Sequence, residues 1–158
     1  MKVLLVFLIA AVFLISAVFA GSTDTQTIYY EVDPINNFHF LTDITLTVNI
    51  ASAGSEPSTD STISTYNLTT NETAKKITAV INANMPDYTY LSVKLDAPTG
   101  AASLGEVTLN TGVQDLVTGI NTIAEPDINY SLTLMAQVAA GLPADGLRVI
   151  TFTLTDES

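Results

Sequence analysis

Few residues in this chain have the types and spacing that catalysis requires, and the only histidine is the first to consider. His39 lies between Phe38 and Phe40. A histidine base needs a nucleophile close by, and a lone histidine among bulky apolar neighbours is more often structural. The chain has no Gly-x-Ser-x-Gly motif, the strained turn that exposes the nucleophile of many hydrolases. The sequence therefore indicates no Ser-His-Asp triad, although distant residues could still assemble one.

Carboxylates are the second candidates, and four of them lie next to predicted turns: Asp33, Asp43, Glu125 and Asp127. Glycoside hydrolysis needs two opposed carboxyl groups about 5 to 9.5 Å apart, and no sequence feature brings any two of these together. Calcium binding is the second role considered for these carboxylates. Asp33 with Asn36 and Asn37, or Glu125 with Asp127, could supply hard oxygen ligands. The Asp-x-Asp-x-Asp-Gly spacing of a calcium loop is missing. We expect no catalytic residue, no metal site and no cofactor.

Tyrosines are the candidates for ligand binding, because aromatic faces stack on sugar rings. Tyr29, Tyr30, Tyr88 and Tyr90 lie in or near the ends of predicted strands. Tyrosine also suits strands for reasons of packing alone, and the chain has no tryptophan, the larger stacking surface. A glycan-binding role is therefore an alternative hypothesis.

The elements that would position these residues are short strands, because apolar and polar residues alternate with a period of two. The alternation is clearest at residues 44–50, 91–95, 128–138 and 150–154, and weaker at 27–32, 62–69, 77–83 and 106–109. Turn-forming residues separate these segments at 34–37, 85–87, 97–100 and 125–127. This spacing predicts an all-β chain folded as an antiparallel β-sandwich.

Two stretches depart from the period of two. Residues 51–60 are rich in Ser, Gly and Thr, which predicts a surface loop between strands. Val113, Leu116, Val117, Ile120 and Ile123 recur at helical spacing. This pattern predicts one short amphipathic helix, in spite of the cost of Gly119 within it.

The N-terminus predicts export. Lys2 precedes an almost unbroken apolar run over residues 3–19, and Ala20 is followed by Gly21, Ser22 and Thr23. Residues 1–20 therefore resemble a cleaved signal peptide. A retained membrane anchor is the alternative, because about 17 apolar residues can span a bilayer. We expect a single domain over residues 21–158, secreted or at the cell surface, with no membrane span after cleavage.

Composition excludes several classes of function. Without residues 1–20, four basic residues face sixteen acidic ones, which leaves a net charge of −12. Such a chain repels phosphate backbones, so nucleic acid is not an expected partner. The chain has no cysteine, which excludes disulfides, zinc–thiolate sites and cysteine nucleophiles. Stability must therefore come from packing, strand pairing or assembly.

A family resemblance appears in the C-terminal half. Pro143-Ala144-Asp145-Gly146, followed by the alternating stretch 148–155 that closes the chain, resembles the final strand of secreted bacterial fimbrial and spore-coat-U-type subunits. The stretch from Thr70 to Ile120, including Lys75-Lys76-Ile77-Thr78 and Ala97-Pro98-Thr99-Gly100, is similar to uncharacterised exported bacterial proteins of that appearance. The chain departs from the pattern in having no disulfide, and in having Leu147 where an aromatic residue is usual near the last strand.

The resemblance implies an immunoglobulin-like sandwich whose exposed strand edges pair with a neighbouring subunit. The extended segment 22–32 would be the donor strand, through Thr27, Ile28, Tyr29, Tyr30 and Val32. The alternative is that this segment pairs within its own sheet. Because of the two departures, chaperone-assisted assembly is not part of the expectation.

The sequence thus predicts a secreted, non-catalytic structural or surface-assembly protein that works through β-strand pairing. Its expected partner is a second copy of itself or a cell-surface protein. The alternative is an extracellular glycan- or ligand-binding module. An enzyme would need buried, opposed carboxylates in a cleft, which the sequence does not indicate.

Overall fold

The computed structural model of this chain describes residues 23–40, 43–141 and 146–157. The chain divides into two compact units, Met1–Val32 and Asp33–Ser158. The predicted signal peptide lies outside the described residues. In the first unit, residues 23–32 form no helix or strand. Every strand of the described residues belongs to the second unit.

The described part of the second unit contains nine strands: β1 Asn36–Phe40, β2 Asp60–Thr70, β3 Lys75–Ile81, β4 Thr89–Leu95, β5 Ala102–Ser103, β6 Glu106–Thr108, β7 Gln114–Ile120, β8 Ile123–Ala136 and β9 Ile150–Asp156. A single 3₁₀ turn follows β8 at Val138–Ala140. The strands form two antiparallel sheets, ordered β1-β2-β8-β4-β6 and β5-β7-β3-β9. The predicted antiparallel β-sandwich is confirmed, and its immunoglobulin-like form stays a prediction.

One core lies between the two sheets. It is built from alternate residues of both inner faces, and its members exposed by 1% or less are Tyr66, Leu68, Ile77, Ala79, Ile81, Val93, Leu95, Leu116, Val117 and Ile120. Each large aliphatic side chain buried in this way contributes about 1.5 to 3 kcal/mol relative to exposure. The core is therefore complete around the central strands.

Tyr66 is the largest fully buried side chain of the described core, and its hydroxyl has a hydrogen-bond partner. Its hydroxyl donates a hydrogen bond of 2.7 Å to the main-chain oxygen of Asp96. Burial raises the pKa of Tyr66, and the carboxylates of Glu125 and Asp96 add to this effect. The hydroxyl consequently stays protonated and keeps its role as a donor.

The chain itself closes the side of the sandwich at β5 and β6. Only Leu104 and Gly105 join these two strands, which belong to different sheets. Ser103 donates from its hydroxyl to the main-chain oxygen of Leu95, and the N–H of Leu104 donates to the oxygen of Leu116. The strand edges on this side are only two and three residues long. Edges this short offer little backbone for pairing with another chain.

The predicted helix around residues 113–123 is wrong, because this stretch forms β7 and the start of β8. β7 pairs with β3 through two irregularities, one on each side of the pair Ile77 and Val117. Each inserts one extra residue into β7, which stretches the spacing of inward residues from two to three. Gly119 adopts a φ of 71°, a conformation that costs glycine least. The spacing from Val117 to Ile120 thus comes from a bulged strand.

Residues 44–50 are not a strand either, although their burial alternates. Ile44, Leu46 and Val48 are half-buried between exposed neighbours, and the first two pack against the core. The N–H of Thr47 bonds to a side-chain oxygen of Asp60, at 2.6 Å, and no β ladder is assigned. The alternation of apolar and polar residues at 44–50 correctly predicted that the side chains of Ile44, Leu46 and Val48 are partly buried. It wrongly predicted that residues 44–50 pair as a strand.

Most of the other strand predictions are confirmed. The segments 62–69, 77–83, 91–95, 106–109, 128–138 and 150–154 all overlap observed strands. The segment 27–32 has no strand structure in this single chain. The turn predicted at residues 34–37 is wrong in its second half, because β1 begins at Asn36.

Candidate functional site

The side of the sandwich at β1 and β9 is open. Among the described strands, β1 pairs only with β2, and β9 pairs only with β3. Between these two edges lies a groove of about 690 Å³, called here the β1–β9 groove. It is lined by Phe38, Phe40, residues 43–45, Tyr130, Leu132 and residues 147–152. The open side thus presents two strand edges around one groove.

Apolar side chains at this side are only half-buried. Phe38 and Phe40 of β1, and Ile150, Phe152 and Leu154 of β9, face inward but are less buried than the central core. The rings of Phe40 and Phe152 stack with centroids 4.0 Å apart, which joins the two sheets across the opening. The inward-facing side chains at the open side are therefore less shielded from solvent than those of the central strands.

The free backbone groups of β9 follow from its register. The N–H of Asn82 donates to the oxygen of Val149, and the N–H of Glu157 donates to the oxygen of Ala74. Residues 149 and 157 therefore bond toward the β3 side, and in an antiparallel ladder so do 151, 153 and 155. The N–H and C=O groups of Ile150, Phe152 and Leu154 point to the outer edge. Within the described ranges these groups have no hydrogen-bond partner, so the inward-facing residues of β9 are also those with free backbone groups.

The same rule holds for β1. The N–H of Asn71 donates to the oxygen of Ile35 at 3.1 Å, so Ile35, Asn37 and His39 bond toward β2. Phe38 and Phe40 then direct their backbone groups outward. His39 is exposed on the opposite face from these rings and stands across from Asn67. This position gives it no apolar contact with the core and no role in the groove.

The entry into β1 is held extended by one side chain. The amide of Asn71 donates to the oxygen of Asp33 at 2.9 Å and accepts from the N–H of Ile35 at 2.7 Å. These two bonds imitate the pairing of a neighbouring strand residue. Residues 33–35 are consequently fixed in an extended course that continues the direction of β1.

The predicted donor segment, described by itself, forms no helix or strand, and its apolar side chains are exposed. Ile28, Tyr29, Tyr30 and Val32 are each at least 70% exposed. In an extended segment, Ile28, Tyr30 and Val32 share one face, while Thr27, Tyr29 and Glu31 share the other. Only the first of these faces is free of charge.

A cluster around the buried Lys75 links the start of β1 to the end of β9. Lys75 has 9% of its side chain exposed, and it contacts Asp156 of β9 at 2.5 Å and Glu72 at 2.8 Å. Glu72 also accepts from the side-chain amide of Asn36 in β1. The hydrogen bond to Asp156, and then that to Glu72, raises the pKa of Lys75. The hydrogen bond from Lys75, and then that from Asn36, lowers the pKa of Glu72.

This cluster predicts an acid-sensitive fold. A lowered folded-state pKa stabilises the fold above the ordinary value of 4.5, and this contribution is lost as pH falls through the lowered value. We expect Glu72→Gln to be less stable than the wild type at neutral pH. The difference between the two should shrink as pH falls below 4.5, measured by urea unfolding at each pH. A difference that stays constant down to pH 2 would contradict the ionic role of Glu72.

The other candidate carboxylates described here do not share a site. The turn predicted at residues 125–127 is wrong, because Glu125 and Asp127 lie within β8. Glu125 accepts from the N–H of Thr99 at 2.9 Å, and the N–H of Asp127 donates to the side-chain oxygen of Asn67 at 2.8 Å. Asp43 lines the β1–β9 groove. Within residues 23–40, 43–141 and 146–157, no group of three or more His, Asp or Glu residues could hold a metal ion.

Two of the four tyrosines lie together. Tyr88 and Tyr90 are exposed two residues apart at the start of β4, and Tyr88 adopts a φ of 61°. Tyr29 and Tyr30 belong to the N-terminal unit. The open groove was not found by the sequence argument, because it depends on which strands lie at the sheet edges.

Comparisons add no family to this description. No family model and no curated protein matches the chain. The part of the chain that the structure describes has no helix of the length and hydropathy needed to cross a membrane. Support for a function therefore comes from the open side of the sandwich.

Proposed function

We propose that this chain is a secreted, non-catalytic structural or surface-assembly protein, in which copies associate by β-strand pairing. The observation that carries the proposal is the open side between β1 and β9. Free edge backbone is a template for pairing, and folded proteins usually shorten, charge or cover it. Here the β9 edge is seven residues long and adjoins a groove lined by aromatic and aliphatic side chains.

Charge would regulate this association. With a net charge of −12 after removal of residues 1–20, copies repel one another at low ionic strength. Salt screens this repulsion over about 8 Å at physiological ionic strength. Assembly should consequently begin at lower protein concentration as salt is added.

Light scattering on the chain beginning at Gly21 tests the proposal. The measured mass is expected to rise above that of one chain as protein concentration increases. This rise should begin at a lower protein concentration in about 0.5 M salt than in about 0.05 M salt. A mass that stays at one chain throughout the series, at both salt concentrations, would remove the proposal.

A glycan- or ligand-binding module is the second candidate, and the pair Tyr88 and Tyr90 favours it. Their exposed rings lie two residues apart where β4 begins, Tyr88 in the preceding turn and Tyr90 on the strand, and exposed aromatic faces can stack on sugar rings. Retention on a polysaccharide column that is lost in Tyr88→Ala and Tyr90→Ala would support this role. Unchanged retention in both variants would count against it.

A further inference from the structure

We infer that the peptide bond between Asp33 and Pro34 is a self-cleavage site, at which the side chain of Asp33 attacks its own main-chain carbonyl group. The chain contains an Asp-Pro pair only here, and Asp33 is the first residue of the second unit. Cleavage would separate residues 21–33 from every described strand and leave the sandwich as a domain beginning at Pro34. The inference goes beyond the proposed function and does not depend on assembly.

An Asp-Pro pair has the chemistry that such a reaction needs. The carboxyl group of an aspartate reaches its own carbonyl carbon by closing a five-membered ring, so the nucleophile and its target are held within one residue. Proline supplies a tertiary amide nitrogen, which leaves as a secondary amine. Asp33 is exposed, so water can reach an intermediate formed there.

The reaction has two steps, and its only co-reactant is water. A carboxyl oxygen of Asp33 forms a bond to the carbonyl carbon, the bond from that carbon to the nitrogen of Pro34 breaks, and the carboxyl proton passes to this nitrogen. The products are a cyclic anhydride at Asp33 and a new N-terminus at Pro34. Water then opens the anhydride, which leaves Asp33 with a side-chain and a terminal carboxyl group.

Asn71 holds the chain on both sides of this bond. Its side-chain amide donates to the main-chain oxygen of Asp33 at 2.9 Å, and its side-chain oxygen accepts from the N–H of Ile35 at 2.7 Å. The main-chain N–H of Asn71 donates to the oxygen of Ile35 at 3.1 Å. Three hydrogen bonds to one residue therefore fix the course of the chain across Asp33 and Pro34.

The hydrogen bond to Asp33 can also assist the reaction. The oxygen that accepts from Asn71 belongs to the carbonyl group under attack, and it gains negative charge as the new bond forms. A hydrogen bond to a developing charge strengthens in the transition state, which is how the donors of an oxyanion hole lower a barrier. Only the folded second unit supplies this donor, because Asn71 lies 38 residues beyond Asp33.

Mass spectrometry of the purified chain beginning at Gly21 tests the inference. The chain is incubated folded, and unfolded in urea, at about pH 5, above the range in which Glu72 loses its contribution to the fold. We expect fragments that end at Asp33 and begin at Pro34, formed at least about tenfold faster in the folded chain. The Glu56-Pro57 and Glu125-Pro126 bonds are internal controls and should stay intact, because a glutamate must close a larger ring.

Two substitutions test the nucleophile and the donor separately. Asp33→Glu keeps the charge but enlarges the ring, so cleavage should stop. Asn71→Asp keeps an acceptor for the N–H of Ile35 but removes the amide donor, so cleavage of the folded chain should slow about tenfold or more. Circular dichroism establishes that this variant is folded, and the wild-type comparison in urea decides the matter if it is not.

Three results would overturn the inference. Equal rates for the folded and the unfolded wild type would mean ordinary acid hydrolysis without help from the fold. An intact Asp33–Pro34 bond in the folded chain would exclude cleavage altogether. A folded Asn71→Asp variant that is cleaved as fast as the wild type would exclude the donor. Light scattering decides on assembly independently of all three results.

Discussion

A chain that begins at Asp33 is expected to remain monomeric at concentrations where the chain beginning at Gly21 assembles. The second unit starts at Asp33 and contains all the described strands, so this deletion leaves the sandwich intact. It removes the exposed apolar segment predicted as the donor. Loss of three buried apolar side chains and a row of backbone hydrogen bonds corresponds to a weakening of several hundredfold or more.

A shorter deletion supplies the control. A chain that begins at Thr27 loses the polar residues 21–26 but keeps the whole donor, so it should assemble like the longer chain. Both are compared by light scattering over the same concentration series. If the chain beginning at Asp33 still assembled at the same concentration, strand donation by segment 27–32 would be ruled out.

Substitution of Tyr66 is expected to have the largest effect on stability. Tyr66 lies on β2 with no exposed surface, and the rings of Phe38 and Phe40 pack against it at centroid distances of 5.7 and 5.6 Å. Tyr66→Ala would leave a cavity between the sheets and should lower the free energy of unfolding by about 3 to 5 kcal/mol. Urea unfolding of the monomeric chain beginning at Asp33 measures this loss without interference from assembly.

Tyr66→Phe isolates the hydroxyl. It keeps the ring and removes only the hydrogen bond to the oxygen of Asp96, so a loss of about 0.5 to 1.5 kcal/mol is expected. Equal losses in the Ala and Phe variants would mean that the ring fills no space needed by the core. A loss below about 1 kcal/mol in Tyr66→Ala would contradict the central position of Tyr66.

The sequence predicted the strands wherever alternation and pairing coincide. Residues 91–95 and 150–154 alternate strictly, and both became strands because one face meets the core while the backbone meets a neighbour. Residues 44–50 alternate equally well but lack the second condition, since no ladder is assigned there. Alternation reports burial, whereas pairing depends on a partner distant in the chain.

Two incorrect predictions have a geometric cause that the spacing of apolar residues does not show. Bulges in β7 changed the spacing of its inward residues, so that Val117 and Ile120 imitated a helix. β1 was missed because Pro34 and the two asparagines at 36 and 37 favour a turn by composition. In the structure the side chain of Asn71, 36 residues beyond Ile35, holds the chain extended at this point.

The donor strand at segment 27–32 stays a prediction, because it was implied by the resemblance to fimbrial subunits. The sequence contained no sign of the open edge of β9, since that edge arises from the order β5-β7-β3-β9. Edge position is a property of the whole sheet, and residues far apart in the chain determine it.

Binding of a peptide of residues 23–33 to the chain beginning at Asp33 tests the central claim most directly. The peptide supplies the donor in trans, and isothermal titration calorimetry with residue-resolved hydrogen exchange follows its binding. We expect one peptide bound per chain, slower exchange at Ile150, Phe152 and Leu154, and binding at least about tenfold weaker for the peptide carrying Tyr30→Asp. Absence of binding at millimolar peptide, or equal binding of both peptides, would contradict the account.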